Sequence, residues 1–267
     1  MEVISFVALA AGLIIGLQRF TYPLLRLDDR ALPEVFASCV FVEVVGAIYL
    51  VTAAHALRGN SVGLLTRGNG RLFQVAGKGT VSRAEGDDHF DIGVVRIADR
   101  AVLEHEIQHF PASMLSTSVE VSNPHSRAIC GFPTSMNKQT RSLERRTKTF
   151  TGKCYTYFGF AEYRGDYTAF GKSPKEHIGL DYLPGRDDGG RTLPTPPSPR
   201  GVSGGGAWLV PDLRQPDLVF LEGIFIECHP LRKPRYAFST RIEHVIDFIV
   251  QTHNNGLHGT AVSRNEG

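Results

Sequence analysis

Gly201-Val202-Ser203-Gly204-Gly205-Gly206 sets one serine among four glycines. Glycine accepts positive φ and close backbone approach, so a loop of this kind can present a hydroxyl while neighbouring N–H groups converge on one point. A nucleophile and an oxyanion site are built together in this way. Glycine-rich loops are common, and the stretch gains meaning from two upstream segments, Thr52-Ala53-Ala54-His55-Ala56 and Asp91-Ile92-Gly93-Val94-Val95-Arg96-Ile97. A serine hydroxyl is a weak nucleophile at neutral pH and needs a base within hydrogen-bond reach. Imidazole suits the task, with an ordinary pKa of about 6.5. A buried carboxylate holds that imidazole in one tautomer and stabilises the imidazolium formed during attack.

Around these segments, from about Phe36 onward, short β-branched and aromatic runs alternate with glycine, proline, asparagine and aspartate, the pattern of many short antiparallel strands. Strands are expected at Cys39 to Val45, Ala47 to Thr52, Phe90 to Ile97, Ser118 to Val121, Cys154 to Ala161 and Leu218 to Glu227. Runs such as Val94-Val95 lose strict alternation and read as buried on both faces, which suits a closed barrel or a sandwich. His55 follows one strand and Asp91 opens another, so both are expected at strand ends facing a shared cleft. Near the C-terminus, Thr240-Arg241-Ile242-Glu243 has capping-box spacing, and Ile242, Val245, Ile246 and Ile249 fall on one helical face. Pro184 to Arg200 reads as a loop leading into the serine stretch, and residues 253–267 read as a polar tail.

The pieces T-A-A-H at Thr52 to His55, D-I-x-V-V-R-I at Asp91 to Ile97 and G-x-S-G-G at Gly201 to Gly205 come in the order His, Asp, Ser. On them, the chain resembles the trypsin-like (chymotrypsin-fold) serine proteases over roughly Phe36 to Val250. Leu221-Glu222-Gly223-Ile224 is similar to the family's strand beside the substrate, and Thr240-Arg241-Ile242 to the lead into its terminal helix. The resemblance implies an all-β fold of two antiparallel β-barrels with a C-terminal α-helix. Barrel one is then expected at about residues 36–110, barrel two at about 116–239 and the helix at 240–252, after an N-terminal segment and lead-in at 1–35. It further implies a serine endopeptidase, with Ser203 as nucleophile, His55 as general base and then acid, and Asp91 orienting His55. The N–H groups of Gly201 and Ser203 would form the oxyanion hole, and Ile226, Glu227 and Cys228 would line the substrate groove. Asp87 and Asp88 compete with Asp91, but only Asp91 heads the apolar strand. No cofactor or metal is implied, and the expected partner is a protein or peptide substrate.

Three departures qualify the resemblance. Val202 stands where zymogen-derived members carry an acidic residue that receives a new N-terminal ammonium, so activation by that cleavage is not expected. The serine loop is then either formed from the start or ordered by substrate or a partner. Ala56 stands where many secreted relatives have a cysteine. Pro197 lies six residues before Ser203, where trypsin has its aspartate, so a preference for Lys or Arg is not inherited. Glu227 has two readings, a contact for a basic substrate residue or a solvent-facing glutamate.

Composition narrows the alternatives. In 267 residues, 42% hydrophobic and 21% charged, a net charge of +2 gives no argument for nucleic acid, and the basic run from Lys138 to Lys148 reads as a solvated loop. Four cysteines without a C-x-x-C pair suggest neither a zinc ribbon nor a disulfide framework. Val3 to Leu17 is apolar but shorter than the roughly 20 residues of a membrane-spanning helix, and it lacks a basic n-region. Membrane anchoring, an unusual signal peptide and packing on the domain stay open for it, and localisation with them, the cytoplasm slightly favoured. His105-Glu106-Ile107-Gln108-His109 matches the H-E-x-x-H zinc motif. Pro111 would stop such a helix early, so the zinc-enzyme reading ranks below a connector between barrels. A catalytically silent binding or scaffold module is the other rival.

Overall fold

The computed structural model describes residues 6–30, 32–58, 65–68, 71–77, 79–83, 88–116, 126–138, 143–144, 149–159, 163, 165–182, 195–215, 217–229 and 235–259. Helix α1 (Phe6–Gln18) leads into the first sheet, which includes β1 (Thr21–Leu27), β2 (Pro33–Val44), β3 (Ala47–Ala53), β4 (Leu65–Gly68), β5 (Arg71–Gln74), β6 (Gly79–Val81) and β7 (Ile92–Ile97). The short helices α2 (Ala54–Leu57) and α3 (Asp99–Glu104) follow β3 and β7. The second sheet holds β8 (Ser126–Gly131), β11 (Tyr155–Gly159), β12 (His177–Asp181), β13 (Gly206–Val210), β14 (Phe220–His229) and β15 (Tyr236–Arg241), in the order β11-β8-β13-β14-β15-β12. Helix α4 (Ile242–Gly259) closes the chain. Every pairing within the two sheets is antiparallel. This is the all-β, chymotrypsin-like double barrel with a C-terminal helix.

The two-residue period of a strand explains why its central strands are apolar throughout. Along β2, Cys39 and Phe41 point into barrel one with Leu24, Leu50 and Val95. Val40 and Val42 point the other way, into a core shared with Ala128, Cys130 and Trp208 of the second sheet. Ile242, Val245 and Ile249 of α4 enter the same core and are fully buried. Each such side chain stabilises the fold by about 1.5–3 kcal/mol relative to exposure. Barrel two encloses its own cluster, including Ile129, Ile178, Leu180 and Phe225.

Several boundaries differ from expectation. The first sheet begins upstream of Phe36, because β1 pairs with β2 from Thr21↔Val40 onward and buries Leu24 and Leu25 completely. Part of the chain assigned to barrel two joins the first sheet, since β9 (Leu143–Glu144) pairs with β10 (Thr149–Phe150), which pairs with β5. The expected strand Ser118 to Val121 and much of the Lys138 to Lys148 run lie outside the described residues. Helix α4 continues through His253 to Gly259. The capping box does not form, because Thr240 belongs to β15 and its hydroxyl donates to the Phe90 carbonyl instead. Helix α1 packs Leu13 and Leu17 into the shared core, and Gln18 Nε2 donates to the Cys154 carbonyl at 3.3 Å. Among the described residues no helix is long and apolar enough to cross a membrane.

Candidate active site

Strand β3 runs straight into the single turn of α2, and its pairing with β7 sets Ala53 opposite Ile92. His55, two residues past Ala53, and Asp91, one before Ile92, therefore meet just beyond the last paired residues. The Ala54 N–H donates to the Asp91 carbonyl at 2.8 Å. The His55 N–H donates to Asp91 Oδ1 at 2.9 Å, and His55 Nδ1 lies 2.6 Å from Oδ2. A carboxylate only accepts, so Nδ1 carries a proton, and in the neutral ring Nε2 is left as an acceptor. The Asp91 side chain is 14% exposed and that of His55 50%, so the imidazole is the solvent-facing member of the pair.

Asp91 has φ of +50°, a left-handed conformation that aspartate tolerates better than most residues. Its surroundings fix it there. Asp88 Oδ1 accepts the Asp91 N–H at 3.1 Å, and the rest of the Asp88 carboxylate is taken by Arg58 and by Ser82 Oγ. Asp88 is thus spent on the loop, and Asp87 lies outside the described residues. Barrel two supplies the other ties. His177 Nε2 donates to the His89 carbonyl at 2.8 Å, and Thr240 Oγ1 donates to the Phe90 carbonyl at 2.5 Å. Burial lowers the His177 pKa below its ordinary value. The neutral ring then donates from Nε2 and accepts the Ser173 N–H at Nδ1.

The serine loop is shaped by two positive-φ glycines, Gly201 at +92° and Gly204 at +87°. A Cβ on Gly204 would stand 2.1 Å from Thr52 Oγ1 and from the Ser38 carbonyl oxygen. The backbone beside Ser203 therefore abuts a residue three positions before His55. Ser38, fully buried on β2, clamps this loop across the barrels: its N–H donates to the Ser203 carbonyl, and its hydroxyl donates to the Gly201 carbonyl while accepting the Phe132 N–H, all at 2.8–2.9 Å. Thr134 donates to the Arg200 carbonyl from both N–H and Oγ1, at 2.8 and 3.0 Å. In a trans peptide the next N–H points opposite that carbonyl, so the Gly201 N–H is turned away from Thr134. Among the described residues neither the Gly201 N–H nor the Ser203 N–H has an acceptor. Val202 is buried in the barrel-two cluster with Ile129, Ala207 and Phe225, an apolar anchor at the position where an ion pair is absent. The Ser203 hydroxyl donates to the Ile226 carbonyl at 3.2 Å, and no hydrogen bond joins it to His55.

Ile226, Glu227 and Cys228 lie in succession on β14. Glu227 is neither a bare surface carboxylate nor a free cation site, because Lys172 Nζ sits 2.7 Å from its Oε1. Burial pushes its carboxyl up, but the hydrogen bond and charge of Lys172, with His229, outweigh that and hold it below the ordinary range. Burial pushes the Cys228 thiol up to about 11, which keeps it from acting as a thiolate near neutrality. Sequence reasoning missed Ser38, Thr134, Lys172 and His177; none sits in a local motif. The zinc motif dissolves: α3 ends at Glu104 and Glu106 has φ of +50°. His105 stacks on Phe73, whereas His109 faces Glu43, so the two imidazoles do not share a helical face.

Solved structures with this fold include an inactivated protease paralogue of the scabies mite (TM-score 0.53, 11% identity, covering 90% of this chain and 96% of that one). Kallikrein-related peptidase 10, in a complex with Zn2+, is similar at TM-score 0.52 and 17% identity, with 90% and 98% covered. No protein-family model matches the chain, and no curated protein does. At these identities the likeness is one of fold, that of the chymotrypsin-fold serine proteases, and it includes a relative described as inactivated.

Proposed function

We propose that the chain is a serine endopeptidase acting through an acyl-enzyme. The observation that carries this is the His55–Asp91 pair, 2.6 Å apart, beside a serine loop whose Gly201 and Ser203 N–H groups have no acceptor among the described residues. In the first step the Ser203 hydroxyl leaves Ile226, a rotation between staggered wells, and gives its proton to His55 Nε2. Its oxygen attacks the scissile carbonyl carbon, and the Gly201 and Ser203 N–H groups receive the negative oxygen. The imidazolium, held by Asp91, then protonates the departing amine as the C–N bond breaks. Water repeats the sequence on the ester: His55 takes its proton, the acid product departs, and the proton returns to Ser203.

The burial of Val202 favours a loop ordered without proteolytic activation. A second reading, a silent binding module, draws on the Ser203–Ile226 hydrogen bond, which turns the hydroxyl away from His55. A fluorophosphonate probe separates the two. Labelling of the full-length protein that disappears in Ser203→Ala, with peptide cleavage lost in parallel, supports the peptidase. A folded protein that neither labels nor cleaves is a binding module, and chelator-sensitive cleavage surviving Ser203→Ala would revive the zinc reading.

A further inference from the structure

Beside the triad opens a cavity of about 220 Å3 whose wall includes both Asp91 and Ile226. It is smaller than the roughly 300–1,000 Å3 of drug-sized ligand pockets, a size for one side chain of a bound chain. Phe170 forms an apolar side, and Lys172 and Glu227 form the polar one. We propose that this cavity selects substrates bearing a carboxamide side chain, glutamine or asparagine, near but not at the scissile bond. The proposal rests on the peptidase reading and deepens it.

Charge balance is the first argument. Lys172 and Glu227 neutralise each other at 2.7 Å, and the Lys172 side chain is only 8% exposed. The Asp88 charge on the same wall is matched by Arg58. An anionic substrate side chain would be desolvated there with no cation left over to meet it, and a cationic one would meet only the Asp91 carboxylate, both of whose oxygens are already held by His55. Unused hydrogen-bonding capacity is the second argument. An ammonium has three N–H donors; Lys172 spends one on Glu227 Oε1 and one on the His89 carbonyl at 3.4 Å. His229 Nε2 lies 3.4 Å from that same Oε1, and Oε2 has no donor among the described residues. One Lys172 N–H and Glu227 Oε2 thus remain, together with His229 Nε2, which is buried without a hydrogen-bond partner. A carboxamide offers the complement, a carbonyl oxygen for Lys172 and an NH2 for Glu227, while an aliphatic side chain would shut both away unpaired.

The test uses the full-length enzyme, fluorogenic peptides varied one position at a time around the scissile bond, and fluorophosphonate labelling of Ser203 as an independent readout. At one flanking position glutamine or asparagine is expected to exceed leucine, lysine and glutamate by about tenfold in kcat/KM, the scale of one or two net hydrogen bonds. Lys172→Met leaves Glu227 unmatched and should move the preference to lysine; Glu227→Gln leaves Lys172 unmatched and should move it to glutamate. If one variant does not fold, the other and the wild-type preference still decide. An enzyme that labels and cleaves but is indifferent at every flanking position, or keeps its preference in the folded variants, overturns the cavity proposal alone. An absence of both labelling and cleavage overturns the peptidase reading and this one with it.

Discussion

Removing one oxygen atom should disable the serine loop from the other barrel. In Ser38→Ala the backbone bond to the Ser203 carbonyl survives, but the Phe132 N–H and the Gly201 carbonyl both lose their partner. Each buried polar group left unpaired costs about 1–3 kcal/mol, so the pair sums to about 2–6 kcal/mol. Water offers no rescue: the space vacated is that of one oxygen, whereas a water's share of liquid volume is about 30 Å3. The fold can recover part of the cost by letting the Gly201 carbonyl turn, but that peptide lies between the two that carry the proposed oxyanion donors. Relaxation therefore transfers the penalty from stability to catalysis. We expect a loss of about 3 kcal/mol, seen as a lower urea midpoint with an unchanged slope. We also expect kcat to fall about 10²–10³-fold, the effect of losing one oxyanion donor, with KM nearly unchanged. A stability change under about 1 kcal/mol together with wild-type kcat would refute this account of the loop.

Other substitutions test the remaining parts. Asp91→Asn should lower kcat about 10⁴-fold at neutral pH, because an amide no longer dictates which His55 nitrogen carries the proton; wild-type turnover would remove Asp91 from the mechanism. Val202→Asp places a carboxylate in the barrel-two cluster with no cation to meet it and should cost about 3–5 kcal/mol in chemical denaturation; a neutral substitution would mean that the loop does not depend on that burial. Burial depresses the His177 pKa in the folded state, so below its ordinary value of about 6.5 the unfolded chain binds the extra proton. His177 therefore contributes stability that is fully present above about pH 6.5 and is lost as pH falls toward its folded value. Denaturation midpoints measured from pH 7 down to pH 5 should decline in the wild type and decline less in His177→Gln; identical slopes would contradict the assignment.

How much of this could be read from the chain depended on the range of each signal. His55, Asp91 and Ser203 stand in short segments whose neighbours announce them, and β3 and β7 follow from unbroken β-branched runs. The parts that hold them do not advertise themselves locally. Ser38 acts on Gly201 across 163 positions, and His177 acts on His89 across 88, so nothing beside either residue marks its role. Thr240 shows the opposite failure: its spacing to Glu243 fits a helix cap, yet a tertiary partner, the Phe90 carbonyl, takes the hydroxyl. His105 and His109 fail similarly, since the four-residue spacing carries meaning only on a helix, and α3 has already ended. Strand β1 carries Pro23, a residue that usually marks an edge strand or a loop, yet it lies within the β1–β2 pairing.

The donors that His177 and Thr240 extend to the carbonyls just before Asp91 have a consequence for biosynthesis. The His55–Asp91 pair is made from the first half of the chain, while the His177 and Thr240 ties and Ser203 come from the second. A nascent polypeptide can complete the first sheet and still lack both the attacking oxygen and the brace behind its acid. On the proposed mechanism, hydrolytic competence would arrive only after residues 235–242 emerge and dock, so a partly synthesised product would carry no peptidase activity into the cell that makes it.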